Sequence, residues 1–497
     1  MSPTRCNREE PAGGKSLAAT AFQRTAVALA VLVPCGCATF DPKPIAPALT
    51  AAAFDARRLD TPELRRFIET QLGRELPAWP PNEHNPWTTE LFTLTAYFYH
   101  PALDHARSRI ATAQAAEITA GARPNPTASL SPTFNFDAAG ALSPWKPVVD
   151  FDLPIETAGK RALRLARARQ LTEAARHEFL AAAWGVRAGV RAAMADLRFA
   201  RSLHAYASFR ADLLKEQADL AALWLEAGES SQSDLTLARL AQEKSRLELD
   251  LALERRVAAR ATLAAAIGVP LRSITEIPVL MTSHSPQLSD TALAALRERA
   301  LQGRADLRAA LAAYEASQIA LQLEIAKQHP DVHLGTGYEW DEGQSKWKLF
   351  SIGIEIPAFN RNAGPIAEAR ARRDEAAAKV DLVQSRAAAE IDAAVAFFNS
   401  ARARTFTEKA MFDAVKSNEA AARVLVQSGE GTRLDLLRAR LEWLDAQRIH
   451  AEVGRRLWQA ENALSEALQQ PLDHRPGLSA APPSESLAAP APKNPRP

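Results

Sequence analysis

Two regions of strict alternation constrain the fold of this chain more than any other feature. In 331–341 and again in 348–356, apolar residues alternate with polar residues and glycines, and the short segment between them has the composition of a turn. The stretches 127–137 and 145–153 show the same alternation. Because successive side chains of a strand point to opposite faces, this period of two predicts two β-hairpins, each with one apolar and one polar face.

The length of these strands restricts where the hairpins can lie. Each strand has about ten residues, which is the length that a tilted strand needs to cross a bilayer. Four strands cannot close a barrel, and an open sheet edge cannot lie in lipid. A membrane location therefore requires several copies of the chain.

The chain is a duplication of one unit. Pro126 is matched by Pro330 (330 − 126 = 204) and Gly228 by Gly429 (429 − 228 = 201), with further matches at other corners. Each repeat is predicted to run helix, strand, strand, long helix, tight turn and returning helix. The predicted helices, paired between the repeats, are 88–121 and 289–328, 159–226 and 364–427, and 233–267 and 434–468.

The longest predicted helices have nearly seventy residues. Such a helix is about 100 Å long at 1.5 Å per residue, so it needs packing partners along its whole length. Alanine-rich stretches at 181–183, 376–378 and 387–389 permit close approach of neighbouring helices, as in a coiled coil. The predicted fold class is therefore mainly α, with long helical hairpins attached to strand pairs.

The N-terminal residues have the composition of an export signal. Basic residues followed by a short apolar run predict a signal peptide at 1–36. Residues 32–37 resemble a bacterial lipobox, with Pro34 where leucine is usual, and this favours Cys37 as a lipid anchor. The alternative is simple secretion with an incidental cysteine. A lipid-anchored segment is predicted to follow at 37–87.

Two further segments lie outside the repeats. The stretch Pro62–Leu72 is predicted to be a short helix within the N-terminal segment. The tail 473–497 is rich in Pro, Ala and Ser, which predicts disorder because such a composition cannot form a packed core.

Composition and motifs exclude several classes of function. The formal net charge of +2 offers no basic excess for nucleic acid. Gly159–Arg161 superficially resembles a phosphate loop but lacks its other residues, and His177 has no second histidine four residues later to form a zinc helix. We therefore expect no enzyme activity, no cofactor and no metal site.

Four segments lie at the corners and strand entries of the repeats. They are IPAFNRNAG at 356–364, followed by IAEA at 366–369, LPIETAGKR at 153–161, HPAL at 100–103 and ARPNP at 122–126. Together they resemble the TolC-type outer-membrane efflux protein family. The first is similar to that family's second strand-to-helix corner, and the second to its first corner, especially in the branch of heavy-metal exporters; the other two fit the family's first helix and strand.

The resemblance implies an architecture and a set of partners. It places a first outer-membrane efflux repeat at 88–270, with its hairpin at 127–154, and a second at 289–472, with its hairpin at 331–357. Three copies would form one twelve-stranded outer-membrane barrel on an α-helical periplasmic tunnel. The expected partners are outer-membrane lipid, a periplasmic adaptor protein and an inner-membrane pump of the resistance-nodulation-division type.

The resemblance also assigns the turns after the two long helices to the periplasmic tip. From the residues alone these turns are helix ends, with glycines as left-handed caps and Ser or Thr as N-caps. From the family they are adaptor-docking tips, and they contain Gly228, Ser231, Gly429 and Thr432.

Charged residues just beyond the tips are candidates for a gate. Asp234 and Asp435 match the acidic position near the family's entrance, and Arg438 stands where some members have a further acid. We hypothesise that Asp435 and Arg438 help to set a closed entrance through ion pairs within or between chains. The alternative is that they only cap and solubilise a helix start.

The sequence favours a passive export duct for metal ions, drugs or other small solutes. A duct for type I protein secretion is the first alternative, and a periplasmic coiled-coil scaffold without a pore is the second. Two amphipathic hairpins with Trp145, Tyr338, Trp340 and Trp347 at plausible membrane boundaries favour the pore over the scaffold.

Overall fold

The structure, a computed structural model, describes residues 38–136, 143–274, 288–341 and 344–472. The predicted signal peptide, Cys37 and the predicted disordered tail lie outside these residues. The chain divides into two compact units, with the boundary between Ala53 and Phe54. The first unit contributes most of helix α1 (Pro47–Asp55), which has no buried residue, and all elements that follow belong to the second unit.

Helix α2 (Pro62–Leu72) has the bounds predicted from the sequence. It begins after Thr61, whose side chain accepts a hydrogen bond from the Leu64 amide, and it buries Leu64 and Ile68. It ends at Gly73, whose φ of 65° is the left-handed conformation typical of a helix C-cap.

The two predicted repeats show the predicted order of elements. The first repeat contains α3 (Thr89–Tyr99), α4 (Pro101–Gly121), β1 (Thr127–Phe134), β2 (Trp145–Ile155), α5 (Lys160–Glu226) and α6 (Gln232–Ile267). The second repeat contains α7 (Asp290–Gly303), α8 (Ala305–Ala326), β3 (Val332–Asp341), β4 (Gln344–Ile354), α9 (Ala363–Ser428) and α10 (Arg433–Leu468). The long helices α5 and α9 have 67 and 66 residues.

The first helix of each repeat is broken, and the prediction of one continuous helix at 88–121 and at 289–328 is wrong. The break falls at His100 in the first repeat and at Arg304 in the second, where ψ is 123° and 139°. Pro101 explains the first break, because a proline disfavours helical conformation in the residue before it. No proline follows Arg304, so the second break depends on tertiary contacts.

The strand-to-helix corner at Lys160 joins the two repeats. Lys160 is a buried residue, only 7% exposed, and its ammonium group donates hydrogen bonds of 2.7 Å to the His329 carbonyl and to Asp331 Oδ1. Thr157 donates its amide to Asp331 Oδ1 and its hydroxyl to the Pro330 carbonyl. These contacts fix the start of β3 against the start of α5.

The two largest hydrophobic cores of the described residues pack the helices against one another. The larger core contains Trp87, Phe92, Phe179 and Leu263, which come from α3, α5, α6 and the segment before them. The smaller core packs α7, α9 and α10 around residues that include Phe398. Apolar burial of this kind is the main stabilising contribution in a helical array.

The two hairpins form one four-stranded antiparallel sheet in the order β1-β2-β3-β4. The apolar rows match across the strands, so that Leu130 pairs with Val149, Val149 with Tyr338, and Tyr338 with Trp347. The sheet therefore has one apolar and one polar face, as predicted. Strands β1 and β4 are its edges.

Strand β4 contains an irregularity that the alternation does not predict. Gly335 pairs with Ser351, but Gly337 pairs with Lys348, so two residues of β4 lie opposite Thr336. Such a β-bulge shifts the alternation by one residue. It places Trp347 on the apolar face beside Tyr338, with ring centroids 4.8 Å apart.

Among the described residues, the structure contains no helix that is both long enough and apolar enough to cross a bilayer.

Candidate functional site

The apolar face of the sheet is exposed to solvent in the single chain. Leu130, Trp347 and Ile352 are 68%, 71% and 58% exposed, and neither edge of the sheet is paired among the described residues. Aromatic rings cluster toward the hairpin ends, where the centroids of Phe134 and Trp145 are 5.0 Å apart. An exposed apolar face of this size marks a surface that contacts lipid or another protein.

The polar face of the sheet carries ion pairs that connect strands. Lys348 on β4 lies 3.3 Å from Asp150 on β2 and so reaches across β3. Asp341 lies 2.5 Å from Lys146 and 2.7 Å from Lys346. This face is hydrophilic, and its charges are arranged to bridge neighbouring strands.

Glycines on β3 make room for these bridges. A Cβ atom at Gly337 would lie 2.4 Å from Asp150 Oδ1, and one at Gly335 would lie 2.4 Å from Ser351 Oγ. The side chains of Asp150 and Ser351 therefore lie flat across the glycines instead of projecting away from the sheet.

The two predicted tips have the same construction. Gly228 and Gly429 follow the long helices with φ of 76° and 83°, a backbone conformation that favours glycine. Ser231 and Thr432 are the N-caps of the returning helices, and each accepts a hydrogen bond of 3.2 Å from the amide three residues later. The structural prediction for these residues is confirmed, while adaptor docking remains a prediction.

The gate candidates Asp234 and Asp435 complete these caps. Each carboxylate accepts a hydrogen bond from the N-cap amide three residues earlier, which forms a capping box. Hydrogen bonds from the Ser231 and Thr432 hydroxyl groups, and then from the backbone amides, lower the pKa of both carboxyl groups. Both groups therefore stay ionised through mild acid.

Arg438 is close to Asp435 but makes only a weak contact with it. The nearest nitrogen of Arg438 is 3.9 Å from Asp435 Oδ1, and both side chains are more than half exposed. Such a pair contributes little on its own. The cap is the dominant interaction of Asp435 in the single chain, and whether the pair also acts in a gate remains a prediction.

Sequence reasoning missed a row of polar contacts between α5 and α10, called here the hairpin seam. It joins the long helix of the first repeat to the returning helix of the second. Its contacts include those of Arg187 with Ser465, Asp196 with Arg455, Tyr206 and Arg210 with Asp445, and Glu216 with Arg433. They recur about every ten residues, or about 15 Å of helix.

The middle of the hairpin seam contains a linked set of polar groups. Arg210 donates to the Tyr206 hydroxyl at 3.0 Å and lies 3.2 Å from Asp445, while the Tyr206 hydroxyl donates to the same carboxylate. Burial, and then the Asp445 carboxylate, raise the pKa of Tyr206. The tyrosine therefore remains a hydrogen-bond donor at any physiological pH.

The sequence contains a signal for the contact nearest the tip, a basic residue in the first turn of a helix. Arg433 occupies the first turn of α10, where a positive charge opposes the helix dipole. Its Nε donates a hydrogen bond of 2.6 Å to Glu216 on α5. An unfavourable residue in a first turn is a signal for a tertiary partner, although only the structure identifies that partner.

Comparison with known proteins agrees with this architecture. Residues 296–469 match the family model of outer membrane efflux proteins. Over 230 residues, which are 45% of this chain and 53% of the relative, the sequence is 26% identical to the cobalt-zinc-cadmium resistance protein CzcC of Cupriavidus metallidurans. The chain thus spans about half the length of this curated relative.

Solved structures share the fold over most of their length. The outer membrane protein VceC of Vibrio cholerae gives a TM-score of 0.62 at 22% identity, covering 78% of this chain and 97% of VceC. The structure of CusC, a protein that forms a transmembrane channel, gives a TM-score of 0.62 at 18% identity. The match covers 76% of this chain and 91% of CusC.

These findings confirm the resemblance to the TolC-type outer-membrane efflux protein family. The mainly helical fold is that of outer-membrane channels of this kind. The family and relatives named here are channels, efflux proteins and a resistance protein, and none is an enzyme.

Proposed function

We propose that this protein is the outer-membrane channel of a tripartite efflux system. It would act as a passive exit duct for small solutes that an inner-membrane pump and a periplasmic adaptor deliver. The observation that carries the proposal is the four-stranded sheet, which has an exposed apolar face, a polar face and two unpaired edges. Backbone groups at such edges cannot remain unpaired in lipid.

Pairing between copies satisfies these edges. Strand β4 of one copy would pair with β1 of the next, and the apolar face would then meet lipid while the polar face lined the bore. Three copies of four strands form a twelve-stranded barrel, a number that the family resemblance supplies. The long helices would continue the bore into the periplasm.

The remaining assignments extend this proposal. Cys37 is the proposed lipid anchor, and Cys37→Ser should abolish incorporation of labelled palmitate; equal labelling of the variant would contradict the anchor.

The tips at Gly228–Ser231 and Gly429–Thr432 are the proposed docking sites for the adaptor, and the pump is proposed to be of the resistance-nodulation-division type. Among cargo classes, the name of the relative CzcC favours metal ions.

Membrane fractionation with gel mobility and planar-bilayer recording tests the proposal. We expect an outer-membrane species that migrates near three times the monomer mass when unheated and that conducts ions in a bilayer. If cells that contain a species of that mass use it to secrete a protein substrate, the type I secretion duct would be favoured. A soluble periplasmic monomer would remove the pore and favour the coiled-coil scaffold.

The gate hypothesis gives a more specific prediction. If Asp435 and Arg438 help to close the entrance, the double variant Asp435→Ala, Arg438→Ala should show higher bilayer conductance and make cells sensitive to antibiotics that the outer membrane excludes. Loss of ion pairs around the axis would relax the closed arrangement of the tips.

Thr432→Ala is the matched control for the gate. It removes the same helix cap and leaves both gate charges in place. If Thr432→Ala reproduced the conductance and leakage of the double variant, capping alone would explain the result. Wild-type conductance and leakage in the double variant would remove the gate assignment altogether.

A further inference from the structure

The first helical hairpin contains a level at which its sequence is basic and has no acidic residue. The stretches 197–211 of α5 and 255–267 of α6 contain six arginines and one histidine, and neither contains an aspartate or a glutamate. The two helices run in opposite directions from the tip at Gly228, so these stretches lie side by side. Arg210 belongs to the hairpin seam and pairs with Asp445 on α10.

Four of the remaining side chains form one group, called here the basic cluster. Arg201 and His204 come from α5, three residues apart, and Arg256 and Arg260 come from α6, four residues apart, so each pair shares one face of its helix. Nη1 of Arg256 lies 3.5 Å from Nδ1 of His204, which joins the two helices. All four side chains are half-buried.

The positive charge of the basic cluster is not compensated within the described part of the chain. Burial lowers the pKa of Arg201, and the positive charges of Arg260 and then Arg256 lower it further. Burial and then Arg256 also lower the pKa of His204. No carboxylate opposes either shift, and none of the four side chains forms an ion pair with a described residue.

Arg256 also has a buried donor without an acceptor. Its Nε–H group is inaccessible to solvent and has no hydrogen-bond partner among the described residues. Such a buried donor costs free energy, because the hydrogen bond that it makes to water in the unfolded chain is not replaced. An anion in the basic cluster would supply this acceptor and neutralise the repulsion between the arginines.

We propose that the basic cluster binds a small soluble oxyanion that carries at least two negative charges, such as a phosphate-type anion. The planar guanidinium group presents its donors in a fork that matches the oxygens of phosphate. Cβ atoms one helical turn apart are separated by about 6 Å, and packed helices by about 8–10 Å. One small anion can therefore reach arginines of both helices.

The charge of the basic cluster favours a multivalent ligand over a single carboxylate. Arginine stays protonated at every physiological pH, so the cluster contains three positive charges. A monovalent anion would leave most of the repulsion in place, whereas a divalent or more highly charged anion removes it. The site lies in the helical hairpin, and the proposal does not depend on the proposed channel function.

Isothermal titration calorimetry of the full-length, detergent-solubilised protein with sodium pyrophosphate tests the site. We expect the wild type to bind one anion per chain, and acetate at the same ionic strength not to bind. The double variant Arg256→Gln, Arg260→Gln should weaken pyrophosphate binding by about a hundredfold, since one hydrogen bond to a charged group contributes about tenfold. Arg201→Gln should weaken it by about tenfold, because α5 also contributes to the site.

The double variant Arg239→Gln, Arg255→Gln is the matched control. It removes the same charge from exposed positions of the same helix outside the basic cluster. Its affinity for pyrophosphate should stay within about twofold of the wild type, because solvent screens exposed charges. Thermal unfolding without the anion shows that each variant is folded, and Arg256→Gln, Arg260→Gln should be at least as stable as the wild type because its arginines no longer repel each other.

Three results would overturn the proposal. The first is a wild-type protein that does not bind pyrophosphate, as would occur if carboxylates of another copy filled the basic cluster in the assembled protein. The second is an equal loss of affinity in the control, because general attraction of anions by the positive helix would then be the cause. The third is binding of acetate as strong as that of pyrophosphate. None of these results affects the proposed channel, which conductance tests separately.

Discussion

Leu130→Arg should abolish assembly of the protein in the outer membrane, while Ser131→Arg should leave assembly intact. The two residues are neighbours on β1 and lie on opposite faces of the sheet. Leu130 belongs to the apolar row that continues through Val149 and Tyr338, whereas Ser131 belongs to the polar face. The pair therefore tests directly which face meets lipid.

The expected difference is large because the variant is repeated in every copy. An arginine on the lipid face near the bilayer midplane costs about 2–4 kcal/mol per chain. For three copies this amounts to about 6–12 kcal/mol, which is comparable with the whole stability of a typical domain. An arginine at position 131 would project into water and cost little.

Membrane fractionation and unheated gel mobility measure the outcome. We expect Ser131→Arg to give the wild-type outer-membrane species and Leu130→Arg to give only degraded or soluble protein. If both variants assembled equally, the apolar face would not contact lipid. If only Ser131→Arg failed, the orientation of the sheet would be the reverse of the one proposed.

The parts of the fold that the sequence predicts are those set by local periodicity and backbone geometry. The alternation at 127–154 and 331–357 predicts the strands, because burial of one face imposes a period of two. Glycines and N-cap residues predict the tips, because few residues suit a left-handed cap or accept a bond from a free helix amide. The matched corners predict the duplication.

The parts that the sequence does not predict depend on residues far apart in the chain. Lys160 donates a hydrogen bond to Asp331, which is 171 positions later in the sequence. Tyr206 donates one to Asp445, which is 239 positions later. Surface charges are common on long helices, so composition alone does not identify which of them are partners. The bulge opposite Thr336 is likewise a matter of strand register. Leu349 beside Phe350 interrupts the alternation at this point, but two consecutive apolar residues do not by themselves identify a bulge.

The two broken helices show one break with a local signal in the sequence and one that depends on long-range contacts. Proline at position 101 is a local signal that sequence analysis can use, and it lies at the break after His100. The equivalent break at Arg304 has no such signal and is held by contacts with α9 and α10. A duplicated fold thus preserves the same break by a local constraint in one repeat and by tertiary contacts in the other.

Arg304→Ala should therefore destabilise the second repeat strongly. The Arg304 side chain is 7% exposed and donates to Asp306, to Glu390 at 2.9 Å and to the Ala467 carbonyl at 2.7 Å. Its removal leaves the Ala467 carbonyl without this donor and Asp306 without its cation, whereas Glu390 keeps its pair with Arg386. Removing one partner of a buried ion pair costs about 3–5 kcal/mol.

The expected loss is somewhat below that range. Asp306 and Glu390 are 35% and 37% exposed, so water recovers part of the lost interaction. We expect the free energy of unfolding to fall by about 2–3 kcal/mol. Arg297→Ala is the matched control, because Arg297 also joins α7 to an acid on α9 but its pair with Asp392 is exposed. Its removal should cost at most about 1 kcal/mol.

The effect of Arg304 should also depend on pH. Burial alone would raise the pKa of Asp306, but the hydrogen bonds and charge of Arg304 lower it below its ordinary value. A carboxyl group whose pKa is lower in the folded state stabilises the protein above its unfolded pKa of about 3.9, and this contribution is lost as the pH falls through the folded value. Glu466 differs, because burial and then the nearby Glu390 carboxylate raise its pKa above the ordinary value, although Arg304 opposes this shift.

Urea denaturation of the detergent-solubilised protein at a series of pH values measures both effects. The difference in unfolding free energy between wild type and Arg304→Ala should be largest near neutral pH and should shrink below about pH 4. The Arg297→Ala difference should be small at every pH. A loss for Arg304→Ala no larger than that of the control would show that the break between α7 and α8 does not depend on the buried arginine, and that the backbone at 303–305 adopts this conformation by itself.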